Sequence, residues 1–301
     1  MRSPDSGTRV LVCLAVAATG RAQELEPRAY SPNPVDVSFL VVGSARSNGG
    51  ILFDPSLPVD DVEARLNATV LGFGHTFSLF DRSASAGLAV PYVWGTASGN
   101  VGEGRRDLRR SGFADLKLRL AINVVGGPAL NWQEFAKRVP GPTVGLSLVI
   151  EPPTGQYDAA RLVNIGTNRW AFKPEIGVSY PVDHWSLEGY AGVWLFTDNT
   201  DYLSGMRRKQ DPISSLQAHV SYTFRPQLWA AFDATYYSGG RTTVDDVGKG
   251  DRQANSRVGV TVSIPAGAHQ SLKLSWSDGA TTRVGTDFSV YALAWQYTWL
   301  K

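Results

Sequence analysis

Residues 168–180, NRWAFKPEIGVSY, put Trp170, Phe172, Ile176, Val178 and Tyr180 on one parity and Lys173, Glu175, Gly177 and Ser179 on the other. Successive side chains of a strand point to opposite faces, so this stretch reads as a two-faced strand. In a water-soluble sheet the apolar face would be the core and the charged face would be wet. In a strand that crosses a membrane the apolar face meets lipid and the charged face meets a lumen. The whole reading turns on that choice. Pro174 interrupts the stretch and has no amide to give to a ladder, which marks a bulge or a local break in a wall.

Alternation of the same kind recurs along the chain, with twelve candidate strands near 34–43, 62–78, 84–96, 112–124, 142–151, 168–180, 185–197, 213–224, 227–238, 254–264, 269–277 and 286–299. Leu116, Leu118, Leu120 and Ile122 oppose Asp115, Lys117, Arg119 and Asn123, and Leu216, Ala218, Val220 and Tyr222 oppose Gln217, His219 and Ser221. Ala64, Leu66, Ala68 and Val70 likewise oppose Glu63, Arg65, Asn67 and Thr69. The segments are long enough for the ~9 to 11 tilted residues that cross a bilayer.

The connections alternate too. Links 44–61, 97–111, 152–167, 198–212, 239–253 and 278–285 are long and rich in Gly, Asp, Asn and Arg, whereas 80–83, 181–184, 225–227 and 265–269 are tight. Link 126–141 is the one long member of the second set, and the spacing of Trp132, Phe135 and Val139 predicts one or two helical turns there. An even strand count, with long links at one end and short turns and both termini at the other, is the arrangement of an outer-membrane barrel. A soluble sandwich predicts no such segregation. The fold expected is all-β: a transmembrane antiparallel barrel of about twelve strands, with short periplasmic turns and longer extracellular loops.

Composition agrees with this choice. Charged residues make up 19% of the 301 residues, with 9 Trp, 11 Tyr, 12 Phe and 31 Gly, a mixture suited to many turns and aromatic girdles. The formal charge of +2 and the lack of a basic stripe give no support for nucleic-acid binding. Residues 1–22 carry Arg2 and Arg9 ahead of the apolar VLVCLAVAATG and read as a signal peptide. Residues 23–33 are expected as a periplasmic lead-in and 34–301 as the barrel. Cys13, the only cysteine, lies in the leader, so the remainder has no thiol for a disulfide, a nucleophile or a metal.

The polar parity supplies the candidate pore lining: Arg65, Asp115, Lys117, Arg119, Lys173, Glu175, Glu188, His219, Asp233, Arg257 and Lys273. So many charges in a dry core would be prohibitive, whereas in a barrel they pair across a lumen and hold water. Alternatively they form a salt-bridged plug, because a lumen of this size is narrow enough for long side chains to fill. Tyr92, Trp94, Trp170, Trp185, Phe224, Trp229, Tyr236, Tyr237, Trp276, Trp295 and Trp299 are candidates for interfacial girdles. The four histidines have no metal-ligand spacing, and no metal or cofactor is expected. His219 and Ser221 share a face, as a lipid hydrolase would need, but residues two apart on a strand share a face by geometry alone. The basic stretch GEGRRDLRRSG (102–112) falls in an outer loop, where it suits contact with lipopolysaccharide phosphate.

The stretches GPALNWQEFA, PTGQYDAARLVNIGTNRWAFKPEIG, LEGYAGVWLFTDN, QDPISSLQAHVSYTFRPQLW and DATYYSGGRT, with the C-terminal TRVGTDFSVYALAWQYTW, closely resemble the MetA-pathway phenol-degradation family of bacterial outer-membrane proteins. The resemblance runs over about residues 24–299 and implies an outer-membrane barrel of a Gram-negative bacterium that takes up small organic compounds, aromatic ones included. It carries over no catalytic motif, so an enzyme is not expected. The chain ends TWLK, with Trp299 two residues short of the terminal position that the barrel-assembly machinery reads in many barrels. The expectation is therefore a passive outer-membrane channel for small organic solutes, in contact with lipid, lipopolysaccharide and the assembly machinery. A structural or surface-binding barrel with a plugged lumen is the alternative, and a barrel-type lipid hydrolase a third.

Overall fold

The computed structural model describes residues 25–52, 59–101, 104–161, 163–203 and 205–300; the expected leader lies outside them. Its strands are β1 (Val37–Leu52), β2 (Val59–Leu79), β3 (Arg82–Val101), β4 (Gly104–Phe113), β5 (Lys117–Val125), β6 (Thr143–Glu151), β7 (Ala171–Val182), β8 (Trp185–Phe196), β9 (Asn199–Tyr202), β10 (Met206–Gln210), β11 (Ile213–Arg225), β12 (Leu228–Gly239), β13 (Thr242–Val244), β14 (Val247–Gly248), β15 (Gln253–Pro265), β16 (Gln270–Thr281) and β17 (Gly285–Leu300). A single helical turn, α1 (Trp132–Ala136), lies between β5 and β6.

The main sheet closes on itself. Each wall strand pairs antiparallel with the next in the chain, β1 pairs with β17 from Val37↔Leu300 to Leu52↔Gly285, and the result is a closed barrel of twelve strand positions. β4 and β5 together fill one position. Tyr92 pairs with Phe113 and Ala89 with Lys117, so residues 114–116 oppose only 90 and 91. The extra residue is a bulge, and it falls at Pro91, which has no N–H for the ladder. Pro174 acts more gently. It keeps its place opposite Leu148 of β6, while on the β8 side the pairs stop at Phe172↔Leu195 and resume at Glu175↔Gly192 in the same register.

The periplasmic turns are tight for local reasons. Phe80 and Asp81, both left-handed (φ 51° and 59°), close the Leu79↔Arg82 hairpin, the geometry whose twist matches paired strands. At the other end several expected loops prove to be strand. β1 runs to residue 52, β2 starts at 59, and β3 with β4 fills most of 97–111, because the ladder continues beyond the bilayer wherever backbone amides can still pair. β9, β10, β13 and β14 form a separate small sheet at the outer end.

Burial alternates in step with the ladder. In β7 the odd-numbered Ala171, Lys173, Glu175, Gly177 and Ser179 are buried, while Ile176, Val178 and Tyr180 are exposed. Leu118, Leu120, Leu187, Leu216, Phe232, Val260, Leu274 and Leu293 continue the exposed apolar surface around the wall. A band of this extent on the outside of a closed barrel is a lipid-facing surface, and the protein is an outer-membrane barrel. Tyr92, Trp94, Trp170, Trp185, Phe224, Tyr236 and Trp276 are exposed on that surface as girdle residues should be, but Trp229 and Tyr237 are 1% exposed and point inward. For those two the girdle expectation is corrected. Their parity on β12 is that of Asp233, and an inward aromatic is indistinguishable from an outward one until the register is known.

Candidate functional site

Ten of the eleven residues expected to line the lumen lie on inward parity or on its rim. Lys173, Glu175, Glu188, His219, Asp233 and Arg257 are buried, Lys117, Arg119 and Lys273 are part-buried, and Asp115 sits buried at the bulge between β4 and β5. Arg65 departs from this. It is exposed on the same parity as Leu71 and Phe73, while Ala64, Ala68 and Val70 face inward. Arg65 pairs with Asn48 near the outer end of β1, where β2 has left the bilayer. The outside of the wall is water there, so the charged face is no longer the lumen face.

Asp115 is a structural anchor more than a pore residue. Its carboxylate accepts hydrogen bonds from the backbone amides of Gly155 and Thr167 and from the Thr167 hydroxyl, tying the long 152–170 link against the bulge. Lys117 pairs with Glu151 at 3.6 Å. Deeper in the lumen Glu175 collects Lys173 Nζ at 2.7 Å, Gln217 Nε2 at 3.1 Å and the Tyr30 hydroxyl at 2.9 Å. Glu188, His219 and Asp233 stand side by side on β8, β11 and β12. His219 Nδ1 lies 2.7 Å from Asp233 Oδ1, and the Thr261 hydroxyl donates to the other carboxylate oxygen. His219 Nε2 has no hydrogen-bond partner, so it does not engage Ser221, whose hydroxyl accepts from Arg28 Nε. Among the described residues no cluster of three His, Cys, Asp or Glu could hold a metal ion.

The sequence gives little sign of what fills the centre. Residues 25–31, within the expected lead-in, lie inside the barrel. A turn closed by Ser31 N–H to Arg28 C=O, with Arg28 left-handed (φ 66°), points three successive residues at the wall. The Arg28 amide donates to Glu188 Oε2 at 2.6 Å, and its guanidinium donates to Ser221 and Thr223 while lying 4.6 Å from the Trp229 ring centre. The Ala29 amide donates to the Tyr190 hydroxyl. Tyr30, 1% exposed, bonds Ser147 and Glu175, meets the Tyr190 ring edge-on at 4.9 Å and lies under Arg119. Its ring rests on Gly145 and Gly177, which face each other across β6 and β7, and a Cβ at either position would overlap it. Two inward glycines side by side in strand interiors are the clearest signal of this plug in the sequence, since such glycines mark a close approach by another part of the chain; Gly259 of β15 likewise lies against Leu25.

Outward of the plug an aromatic cluster sits among buried polar side chains, Glu151, Arg169, Asn199 and Asn255 among them. Val149, Ala171, Trp194, Ile213 and Tyr237 form a buried cluster joined by Phe196, all on inward positions. Cations decorate its rings: Arg169 lies 4.3 Å from the Phe196 centre and Lys173 5.8 Å from that of Trp194. The indole N–H of Trp194 has no acceptor. The lumen is thus graded, with aromatics toward the outer mouth and a hydrogen-bonded plug toward the periplasm.

The family described as "Putative MetA-pathway of phenol degradation" matches residues 46–295. The chain belongs to that family. Among curated proteins no relative matches the sequence. Two solved barrels share the architecture of this MetA-pathway family member. An outer membrane channel from Pseudomonas putida F1 is 21% identical, with a TM-score of 0.76 over 92% of this chain and 100% of that one. The beta domain of the Bordetella autotransporter BrkA is 13% identical, with a TM-score of 0.56 over 88% and 100%. At these identities the likeness is one of fold, and it places the family member among outer-membrane barrels.

Proposed function

We propose that the protein is a passive outer-membrane channel for small organic solutes, aromatic compounds included, and that it has no catalytic role. The observation that carries this reading is the graded lumen. Trp194, Tyr237 and Phe196, with Arg169 and Lys173 against the rings, are packed together here, and on parting they would offer a solute from the outer medium a surface that takes planar apolar molecules and tolerates a polar substituent. The inner polar belt around Glu175, Glu188 and His219 then meets the plug. The plug is held by hydrogen bonds and ring contacts rather than by a covalent link, so it can yield. The outer-membrane channel from P. putida F1 supports the reading by fold, and membership of a family named for phenol degradation supports the solute class. The exposed Arg105, Arg106 and Arg109 of β4 suit lipopolysaccharide phosphate.

Liposome swelling with a series of neutral solutes of rising apolarity tests the proposal. Flux above that of protein-free vesicles, with single-ring aromatic alcohols faster than sugars of similar size, is the expected outcome; sealed vesicles for every solute overturn it. The Arg28 to Tyr30 contacts favour one second reading, a barrel with a permanently plugged lumen whose loops do the work, and sealed vesicles are what that reading predicts.

A further inference from the structure

The link that carries α1 leaves the wall between β5 and β6, yet Trp132 reaches residues of β16 and β17 on the far side of the ring. The link therefore lies across the periplasmic mouth. It is pinned there by Ala129 N–H to Asp81 C=O, by Val35 N–H to Leu130 C=O and by the Asn131–Glu134 capping box. Between it and the opposite wall is a cavity of about 110 Å³, the same order as the ~150 Å³ interior cavity that takes up benzene.

Three properties of its lining define what it would hold. No Asp, Glu, Lys or Arg contributes to it and His269 is its one titratable lining residue, so it offers no permanently charged side chain to an ionised ligand. Trp132 supplies indole surface for a ring; Trp299, on the outward parity of β17, lays its own ring against Phe73 and Tyr297 on the lipid side. The polar groups are mostly engaged with each other: Gln270 Oε1 accepts from the Trp295 indole and Gln296 Nε2 donates to Thr298. Gln227 Oε1 is the exception, a buried acceptor with no partner. Such an atom is costly unless something donates to it.

We propose that this cavity is a binding site for a neutral, single-ring aromatic alcohol, with the ring against Trp132 and the hydroxyl donating to Gln227 Oε1. It would be the last station of the passage, where a solute that has passed the plug waits for release to the periplasm. That placement rests on the channel reading; the binding site itself does not.

The full barrel in lipid nanodiscs is titrated with 4-fluorophenol, fluorobenzene and 4-fluorobenzoate by fluorine NMR, with empty nanodiscs as the baseline for lipid partition. Saturable 4-fluorophenol binding is expected, with 4-fluorobenzoate not binding. Gln227→Leu should weaken 4-fluorophenol about tenfold and leave fluorobenzene unchanged, and Trp132→Ala should weaken both. Trp132 lies in the link outside the wall, so its variant keeps the test alive if Gln227→Leu does not assemble; assembly of each is checked by heat-modifiable gel migration. Non-saturable binding, equal affinities across the variants, or benzoate binding as well as the phenol overturns the proposal. Saturable, Gln227-dependent binding beside sealed liposomes leaves the site standing and removes the channel. Solute flux without Gln227-dependent binding does the reverse.

Discussion

At the scale of single residues, the strand-interior glycines decide whether the lumen is filled. Gly145 and Gly177 carry no left-handed backbone strain; their role is to leave room for the Tyr30 ring. Gly177→Val puts a branched side chain where the ring lies, in a strand that suits valine. Overpacking of this kind costs about 1–3 kcal/mol, and the ring, on a segment outside the wall, is the part that can move. Single-channel recording should therefore show a higher open conductance for Gly177→Val with barrel assembly unchanged; wild-type conductance would place the plug's hold elsewhere. The cations act at the same scale. Arg119→Gln removes a positive charge facing the lumen, and a loss of order 1 kcal/mol in anion preference, roughly fivefold in permeability ratio, should follow from a charge at this range in a partly hydrated pore. Reversal potentials in a salt gradient measure it, and the shift must run toward cations. Alternation made these residues legible, and it misplaced Arg65 for a physical reason: above the bilayer the outside of the wall is as wet as the inside.

Elements outside the wall fill the lumen and cover its periplasmic mouth. The N-terminal segment touches β5, β6, β7, β8, β11 and β12 through side chains that are polar or aromatic, so removing it leaves the backbone ladder intact. Deleting residues 25–31 should raise conductance by more than Gly177→Val does while the barrel still migrates as a folded species, and an unchanged trace would show that passage does not run through the centre. The α1 link depends on local chemistry. Its Asn131 accepts from the Glu134 amide as Glu134 accepts from that of Asn131, and Asn131→Ala should cost about 1 kcal/mol of that turn. Hydrogen exchange is the readout: amides of 132–137 should exchange roughly fivefold faster, with those of β5 and β6 unaffected. The helical turn was legible from the spacing of Trp132 and Phe135, but not its course across the mouth, because a link's direction depends on partners remote in sequence.

For the whole molecule, the even count of alternating segments and the contrast of long and short links were enough to define a closed outer-membrane barrel. These are consequences of local rules. A strand has period two, the bilayer needs about ten residues of it, and hydrocarbon permits no unpaired backbone, so a set of such strands must close. With the strand count and the link contrast beside it, the alternation of residues 168–180 was enough to turn Lys173 and Glu175 inward and Ile176, Val178 and Tyr180 to lipid. Only the tertiary structure decided what lies between the walls. The Tyr30 hydroxyl finds Glu175, Arg28 finds Ser221 and Thr223, and Trp132 meets the far side of the ring, each across a large separation in sequence. Inward parity says that a side chain faces the lumen but not at what height or opposite what, because those depend on register and stagger summed around twelve strands. Periodicity fixed the barrel, and the long-range contacts fixed its plug, its aromatic outer half and its periplasmic cavity.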